Sequence, residues 1–172
     1  MKIYFAGKVS PVDGVQDWRN VWANILAEKT GLPIVNLDPT KADENLGEDL
    51  DLGNPDLIFG RDCYLIKESD AVIINLTDDV GVGASQEMII AKYFGKPLIA
   101  VTKLNGRYWR EERVVDGKSY KNWINPFVSI PCDLVVERIE DSVDFLMQIK
   151  SQKIKDISVI DSSTGYYQGR RT

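Results

Sequence analysis

The sequence contains no histidine and only two cysteines, Cys63 and Cys132. The missing imidazole removes the commonest general base and the commonest transition-metal ligand, so catalytic triads that depend on it are excluded. The two cysteines have the spacing of neither a metal site nor a redox motif, and we interpret them as free thiols in a reducing cytoplasm. Acid–base chemistry is therefore expected from carboxylates, Tyr, Lys or Cys, with no metal and no other cofactor.

Long apolar runs and an excess of positive charge are also missing. No apolar stretch reaches the length that spans a bilayer, and the N-terminus has no apolar leader, which predicts a cytoplasmic protein without membrane contact. The 21 basic and 26 acidic side chains give a formal charge of −5. A net anion binds a phosphate backbone poorly, so a nucleic-acid polymer is disfavoured as a partner while a small substrate stays open.

The 172 residues and the apolar fraction of 44 % fit one soluble domain over residues 1–172, whose tail from about residue 156 is a loose end or an arm to a partner subunit. Strands and helices alternate. Strands are predicted at 2–6, 33–37, 70–76, 98–102 and 134–136, and helices at 17–29, 56–67, 86–94 and 139–153. This order predicts an α/β fold, a flavodoxin- or Rossmann-like parallel sheet of about five strands with helices on both faces.

Two long irregular stretches are expected, at residues 39–55 and 103–130. The second is rich in Arg, Lys and aromatic residues, among them Tyr108, Trp109 and Trp123. These aromatic side chains either stack on a ligand or pack within the protein.

The sharpest chemical signal is the glycine-rich turn that follows the strand at 70–76. Gly81 and Gly83 free backbone N–H groups to face a ligand. Ser85 is the expected N-cap of the next helix, which places Glu87 in the first turn, where the macrodipole favours an anion. An ionised, oriented carboxylate suits attack on an anomeric carbon, although a glutamate there can also do no more than complement the dipole.

Other candidates surround this turn. Asp62 and Asp79 are further carboxylates, each of which, taken alone, is more often a surface residue. Tyr4 is a core aromatic whose hydroxyl needs a partner if buried, and Glu87 is a candidate for it. Gly7 ends the first strand, where it lets the backbone turn or a ligand approach closely.

These segments resemble the nucleoside 2-deoxyribosyltransferase family over roughly residues 1–102. The opening KIYFAG resembles the first strand, whose tyrosine orients the catalytic carboxylate, and this position is Tyr4. RDCYLIKESD, at 61–70, resembles the pattern of a site aspartate, here Asp62, eight residues before the central strand. DVGVGASQEMIIAKYFGKP, at 79–97, resembles the glycine-rich turn, the catalytic glutamate, here Glu87, and the Gly-Lys-Pro exit.

The resemblance implies a mechanism in which Glu87 attacks C1′ of a 2-deoxyribonucleoside and the base leaves, protonated through Asp62 or Asp79. A second base then takes the sugar with net retention. Gly7 and the Gly81–Ser85 loop would approach the sugar or an attached phosphate. The implied partners are a nucleoside or nucleotide, a free nucleobase and, because the family shares its pocket between subunits, further copies of the chain.

Lys8 and Arg19 would recognise a 5′-phosphate, unless they are solvated surface cations. Three functions therefore stay open: transfer of deoxyribose between bases, hydrolysis of a nucleoside 5′-monophosphate, and a nucleotide-binding or sensing module without catalysis.

Overall fold

The computed structural model describes residues 1–9, 17–41 and 53–170. In chain order its elements are β1 Lys2–Ala6, α1 Trp18–Thr30, β2 Val35–Leu37, α2 Pro55–Glu68, β3 Ala71–Asn75, α3 Val82–Tyr93, β4 Leu98–Val101, β5 Trp109–Val115, β6 Lys118–Ile124, α4 Pro126–Ser129, β7 Leu134–Val136, α5 Val143–Met147 and α6 Val159–Gly169. Short 3-10 helices at Ile139–Ser142 and Ile149–Ser151 flank α5. The predicted loop at 39–55 lies mostly outside the described residues.

Five strands form one parallel sheet in the order β2-β1-β3-β4-β7, which confirms the predicted α/β fold. All residues of β3 and β4 are buried, as expected for parallel strands that are covered on both faces. β2 lies on one side of β1, whereas β3, β4 and β7 lie on the other. In sheets of this kind the binding crevice lies outside the carboxyl ends of the strands where the order reverses, here β1 and β3.

The two faces of the sheet pack against different helices. Successive side chains of a strand point to opposite faces, so Tyr4 lies on one face and Ile3 and Phe5 on the other. Tyr4 packs in one core cluster with Ile66 of α2 and Met88 of α3. Ile3 and Phe5 belong to the cluster that α1 covers. The tyrosine that the sequence singled out therefore stands beneath α2 and α3.

α3 begins at Val82, with Gly81 as its N-cap, and not at residue 86 as predicted. No residue from 82 to 85 breaks the helix, so the helical backbone extends back through most of the glycine-rich segment. The prediction that Ser85 is the N-cap is wrong, because its Oγ donates to Val82 O at 2.8 Å inside the helix. Glu87 consequently lies in the second turn, beyond the first-turn position where the macrodipole acts most strongly.

The prediction of an irregular stretch at 103–130 is also wrong. β5 and β6 form an antiparallel hairpin that is a sheet of its own. Its two-residue turn is Asp116–Gly117, and both residues have positive φ, 49° and 74°. Asp-Gly is a preferred pair for this kind of hairpin turn, so the sequence does contain the signal for the turn. The two flanking segments show no regular alternation of apolar and polar residues, which is why the strands were not predicted.

The three aromatic residues of that stretch contact other parts of the protein, but only Tyr108 is buried, while Trp109 and Trp123 are half-buried. Tyr108 is buried at the base of the hairpin. The Nε1 of Trp109 donates to Asn122 Oδ1 at 2.7 Å, and the guanidinium carbon of Arg113 lies 3.9 Å from the centre of the Trp123 ring.

The helix predicted at 139–153 is divided into two 3-10 turns and α5. The tail contains α6, none of whose residues is buried. Over the described ranges, no helix combines the length and apolar character that crossing a bilayer requires.

Candidate active site

Glu87 and Tyr4 meet between α3 and β1. Tyr4 is fully buried, and Glu87 is partly buried. Among the described residues, neither the Tyr4 hydroxyl nor Glu87 Oε2 has a hydrogen-bond partner, although both atoms are buried. The hydroxyl is nonetheless near enough to lower the pKa of Glu87 as a hydrogen-bond donor does. We therefore treat the pair as neighbours poised to bond and not as a formed hydrogen bond.

Burial raises the pKa of Glu87 to about 7. Tyr4 lowers this pKa, the negative charge of Asp62 raises it, and the positive charges of Arg19 and Arg61 lower it. Our sequence interpretation, a carboxylate held ionised by the helix dipole, is therefore wrong, because burial outweighs the groups that favour the charge. A carboxyl group with this pKa is about half protonated at pH 7.

The hydroxyl of Tyr4 stays protonated. Burial, above all, and then the charges of Glu87 and Asp62 raise its pKa far above the usual value. It therefore remains a potential hydrogen-bond donor beside the glutamate.

Asp62 lies in α2 and faces the same site. Its carboxylate is held by the preceding residue, Arg61, whose Nε and Nη2 lie 2.9 and 2.8 Å from Oδ1. Burial raises the pKa of Asp62, and the charges of Arg61 and Arg19 oppose that shift. The sequence analysis did not identify Arg61 as a site residue. An arginine next to an aspartate on a predicted helix is usually exposed, and nothing in the local sequence indicates that its side chain turns toward the site.

Arg19 is buried, which excludes the interpretation that it is a solvated surface cation. Its Nε donates to Phe5 O and its Nη2 to Gly7 O, both at 2.9 Å, and Asp38 Oδ1 lies 3.8 Å from Nε. Burial lowers its pKa, while Asp38, Tyr4 and Glu87 raise it. Arg19 thus braces the end of β1 and places a positive charge behind the candidate nucleophile.

Gly7 is required by packing. It has a φ of 148°, and a Cβ at this position would lie 3.0 Å from the ring of Trp18. The ring of Trp18, and not a ligand, therefore fills the space on that side of Gly7.

Lys8 and Asp79 lie on the exposed part of this edge. Lys8 Nζ is 2.9 Å from Asp78 Oδ2, and Asp79 pairs with Arg107. Asp62 is one of the charges that raise the pKa of Glu87, whereas the Asp79 side chain is 65 % exposed in its ion pair. The structure therefore brings together Tyr4, Asp62 and Glu87, and Asp79 lies in an exposed ion pair.

The glycine-rich segment divides between two sides of α3. Gly83 lies one turn before Glu87, and a Cβ there would be 3.9 Å from Glu87 Oε1. Ser85 is exposed and borders a separate cavity of about 290 Å³ beside Tyr108 and Val128. Residues that are two positions apart in a helix point in directions about 200° apart, so Ser85 and Glu87 face different surroundings.

A cavity of about 270 Å³ lies near the carboxyl ends of the strands but on the α1 face, lined in part by Trp18, Trp22 and Asn75 and not by Glu87. We nevertheless place the candidate site at Glu87. A partly buried carboxyl group with a raised pKa is a stronger sign of a catalytic site than a cavity without such a group. Within the described ranges, no cluster of three or more Cys, Asp or Glu side chains is arranged to hold a metal ion.

No family model matches the chain, and no curated protein matches it in sequence. The 2-deoxyribosyltransferase of the psychrotolerant bacterium Bacillus psychrosaccharolyticus is 18 % identical over 91 % of this chain and 98 % of its own, with a TM-score of 0.57. The 2-deoxyribosyltransferase of Leishmania mexicana is 21 % identical over 88 % of this chain and 99 % of its own, with a TM-score of 0.55. The chain therefore has the fold of these two 2-deoxyribosyltransferases.

Proposed function

We propose that the protein is a nucleoside 2-deoxyribosyltransferase that uses Glu87 as its nucleophile. The observation that carries this proposal is the partly buried Glu87 carboxyl group, whose Oε2 is buried without a partner among the described residues and whose pKa responds to both Tyr4 and Asp62. The shared fold with two enzymes of that name supports the choice of reaction.

In the proposed reaction, ionised Glu87 attacks C1′ of a 2-deoxyribonucleoside. The C1′–N bond breaks, its electron pair stays on the base nitrogen, and Asp62 supplies the proton that the base needs to leave as a neutral molecule. A second base then attacks C1′ of the resulting glycosyl ester: the new C1′–N bond forms, the C1′–O bond breaks with its electron pair returning to the Glu87 carboxylate, and the proton of the base passes to Asp62. Two successive inversions at C1′ retain the sugar configuration. A carboxyl group whose pKa is raised by burial, as that of Asp62 is, carries a proton more readily than an exposed one.

We further propose that the substrate carries no 5′-phosphate. The two cations that the sequence offered for a phosphate already have partners, since Lys8 pairs with Asp78 and Arg19 donates to backbone carbonyls. The segments 10–16 and 42–52 contain acidic residues but no Lys or Arg. A phosphate dianion would therefore compete for these cations with partners that they already have, which favours the nucleoside over the nucleotide.

The test is to incubate the protein with 2′-deoxyinosine and adenine and to separate the products by chromatography. We expect deoxyadenosine and hypoxanthine from the native chain. Glu87→Gln should lose at least a thousandfold in rate and keep its circular dichroism spectrum, while Glu28→Gln, an exposed glutamate on α1, should keep full activity. Free deoxyribose without deoxyadenosine would mean a hydrolase, and full activity of Glu87→Gln would refute this nucleophile.

A second experiment separates catalysis from mere binding. A 2′-fluorinated deoxynucleoside should leave a sugar on the peptide that contains Glu87, which mass spectrometry locates. Its 5′-monophosphate should label the protein far more slowly. Binding of both compounds without any adduct would favour a sensing module. Cytoplasmic location and a homo-oligomeric state stay predictions, the second to be measured by light scattering.

A further inference from the structure

We propose that Arg61 is the positioning residue of this site, fixing the Asp62 carboxylate beside Glu87 and supplying the positive charge that two neighbouring carboxylates need. This inference rests on the proposed function. Neither the sequence pattern nor the resemblance assigns a role to Arg61.

The geometry of the pair shows that it is not a product of helix periodicity. Adjacent residues of a helix point in directions about 100° apart and do not normally face each other. Arg61 nevertheless curls back so that two of its nitrogens, Nε and Nη2, reach the same oxygen, Asp62 Oδ1. The long guanidinium side chain is thus drawn toward the site, where the aspartate lies.

The pair is also largely removed from water. The side chains of Arg61 and Asp62 are 16 % and 22 % exposed, in contrast to Arg138 and Asp141, whose side chains are 70 % and 37 % exposed. Surface pairs of the second kind contribute little. A shielded pair interacts more strongly, because less water screens it.

Both contacts of Arg61 fall on the same oxygen of Asp62, Oδ1. They fix the orientation of the carboxylate, and we assign the proton that passes to and from the base to the other oxygen, Oδ2.

The groups that shift the pKa of Glu87 come from three elements. Tyr4 lies on β1, Asp62 and Arg61 lie on α2, and Arg19 lies on α1. Arg19 is fixed to the backbone of β1 and is therefore not free to move toward Asp62. Arg61 is the cation in direct contact with the aspartate, and its charge lowers the pKa of both Asp62 and Glu87.

The experiment compares Arg61→Met with Arg61→Lys. For the methionine variant we expect the acid limb of the pH profile of kcat/KM to move up by roughly 1 pH unit, because Glu87 becomes harder to ionise. Lysine should restore much of that shift but not the full rate, since it lacks the two-nitrogen grip. Arg138→Met, which breaks the exposed pair with Asp141, is the matched control and should leave the profile unchanged. In Asp62→Asn, which also lacks the proposed proton donor, the Glu87 carboxyl group itself should titrate at lower pH than in the native chain.

A second readout does not require activity. The side-chain carboxyl ¹³C resonance of Glu87 should titrate at higher pH in Arg61→Met than in the native chain. Arg61→Gln serves the same purpose if the methionine variant does not fold. A native titration curve in a folded Arg61 variant would overturn this proposal and leave the transferase intact. A native chain without transferase activity would refute the transferase, and the titration would still decide the role of Arg61.

Discussion

Glu87 should destabilise the fold at alkaline pH, and Glu87→Gln should remove that cost. Burial raises the pKa of Glu87 from its usual value of 4.5 to about 7. A carboxyl group whose pKa is raised on folding binds its proton more tightly in the native state than in the unfolded state. Stability is therefore greatest below the unfolded pKa and falls as the pH rises toward the folded pKa.

The expected size follows from the shift. About 2.5 pKa units correspond to about 3 kcal/mol between fully protonated and fully ionised states. Between pH 5 and pH 9 the native protein should lose about 2 to 3 kcal/mol from this one group, because a small part of the loss already occurs below pH 5. The glutamine variant carries no such group.

Urea denaturation of both proteins at pH 5, 7 and 9 measures the effect. The free energy of unfolding of Glu87→Gln should exceed that of the native chain by an increment that grows with pH and levels off above about pH 8. Glu28→Gln is again the control, and its difference from the native chain should not vary with pH. A constant difference for Glu87→Gln would show that the glutamate is not the buried, hard-to-ionise group described above.

Two further predictions concern the immediate neighbours of this carboxylate. Gly83→Ala should stabilise the helix by up to about 1 kcal/mol, because alanine has the higher helix propensity. The same variant should lower kcat/KM, because the added methyl group would lie 3.9 Å from Glu87 Oε1 and occupy space beside the nucleophile. A raised Tm with native kinetics would show that substrate approaches from another side. Cys63, whose thiol pKa is raised by burial and then by Asp62 and Glu87, should be alkylated faster in Glu87→Gln at pH 8, measured with iodoacetamide and intact-mass analysis. An unchanged alkylation rate would mean that the thiol and the carboxylate do not sense each other.

Much of the fold follows from local sequence patterns. The continuous apolar run that became β3 predicted a central strand because both faces of a parallel strand are buried. The predicted start of α3 is wrong because both glycines were interpreted as turn residues. Gly83 lies inside the helix, where glycine is less favourable than alanine by only about 1 kcal/mol. The hairpin was overlooked because exposed strands have no buried face and thus no clear alternation of apolar residues.

The site could be predicted only in part. Tyr4, Asp62 and Glu87 lie on three separate elements, and the resemblance brought them together before the topology did. Burial of Arg19 and the backward curl of Arg61 depend on tertiary packing, which local patterns do not contain. The same holds for the pKa of Glu87, since the surroundings of a carboxyl group, and not its position in a helix, decide its charge.

The hairpin leaves and rejoins the main body at a single narrow base. The backbone N–H of Asn125 bonds to Tyr108 O at 2.8 Å, and Tyr108 is anchored in the core. β4 and β7 hydrogen-bond directly to each other beneath this base, so the arms of the hairpin carry no part of the sheet register. Related chains are thus free to lengthen, trim or replace this appendage, and in doing so to vary their outer surface, while the parallel core below it keeps its dimensions.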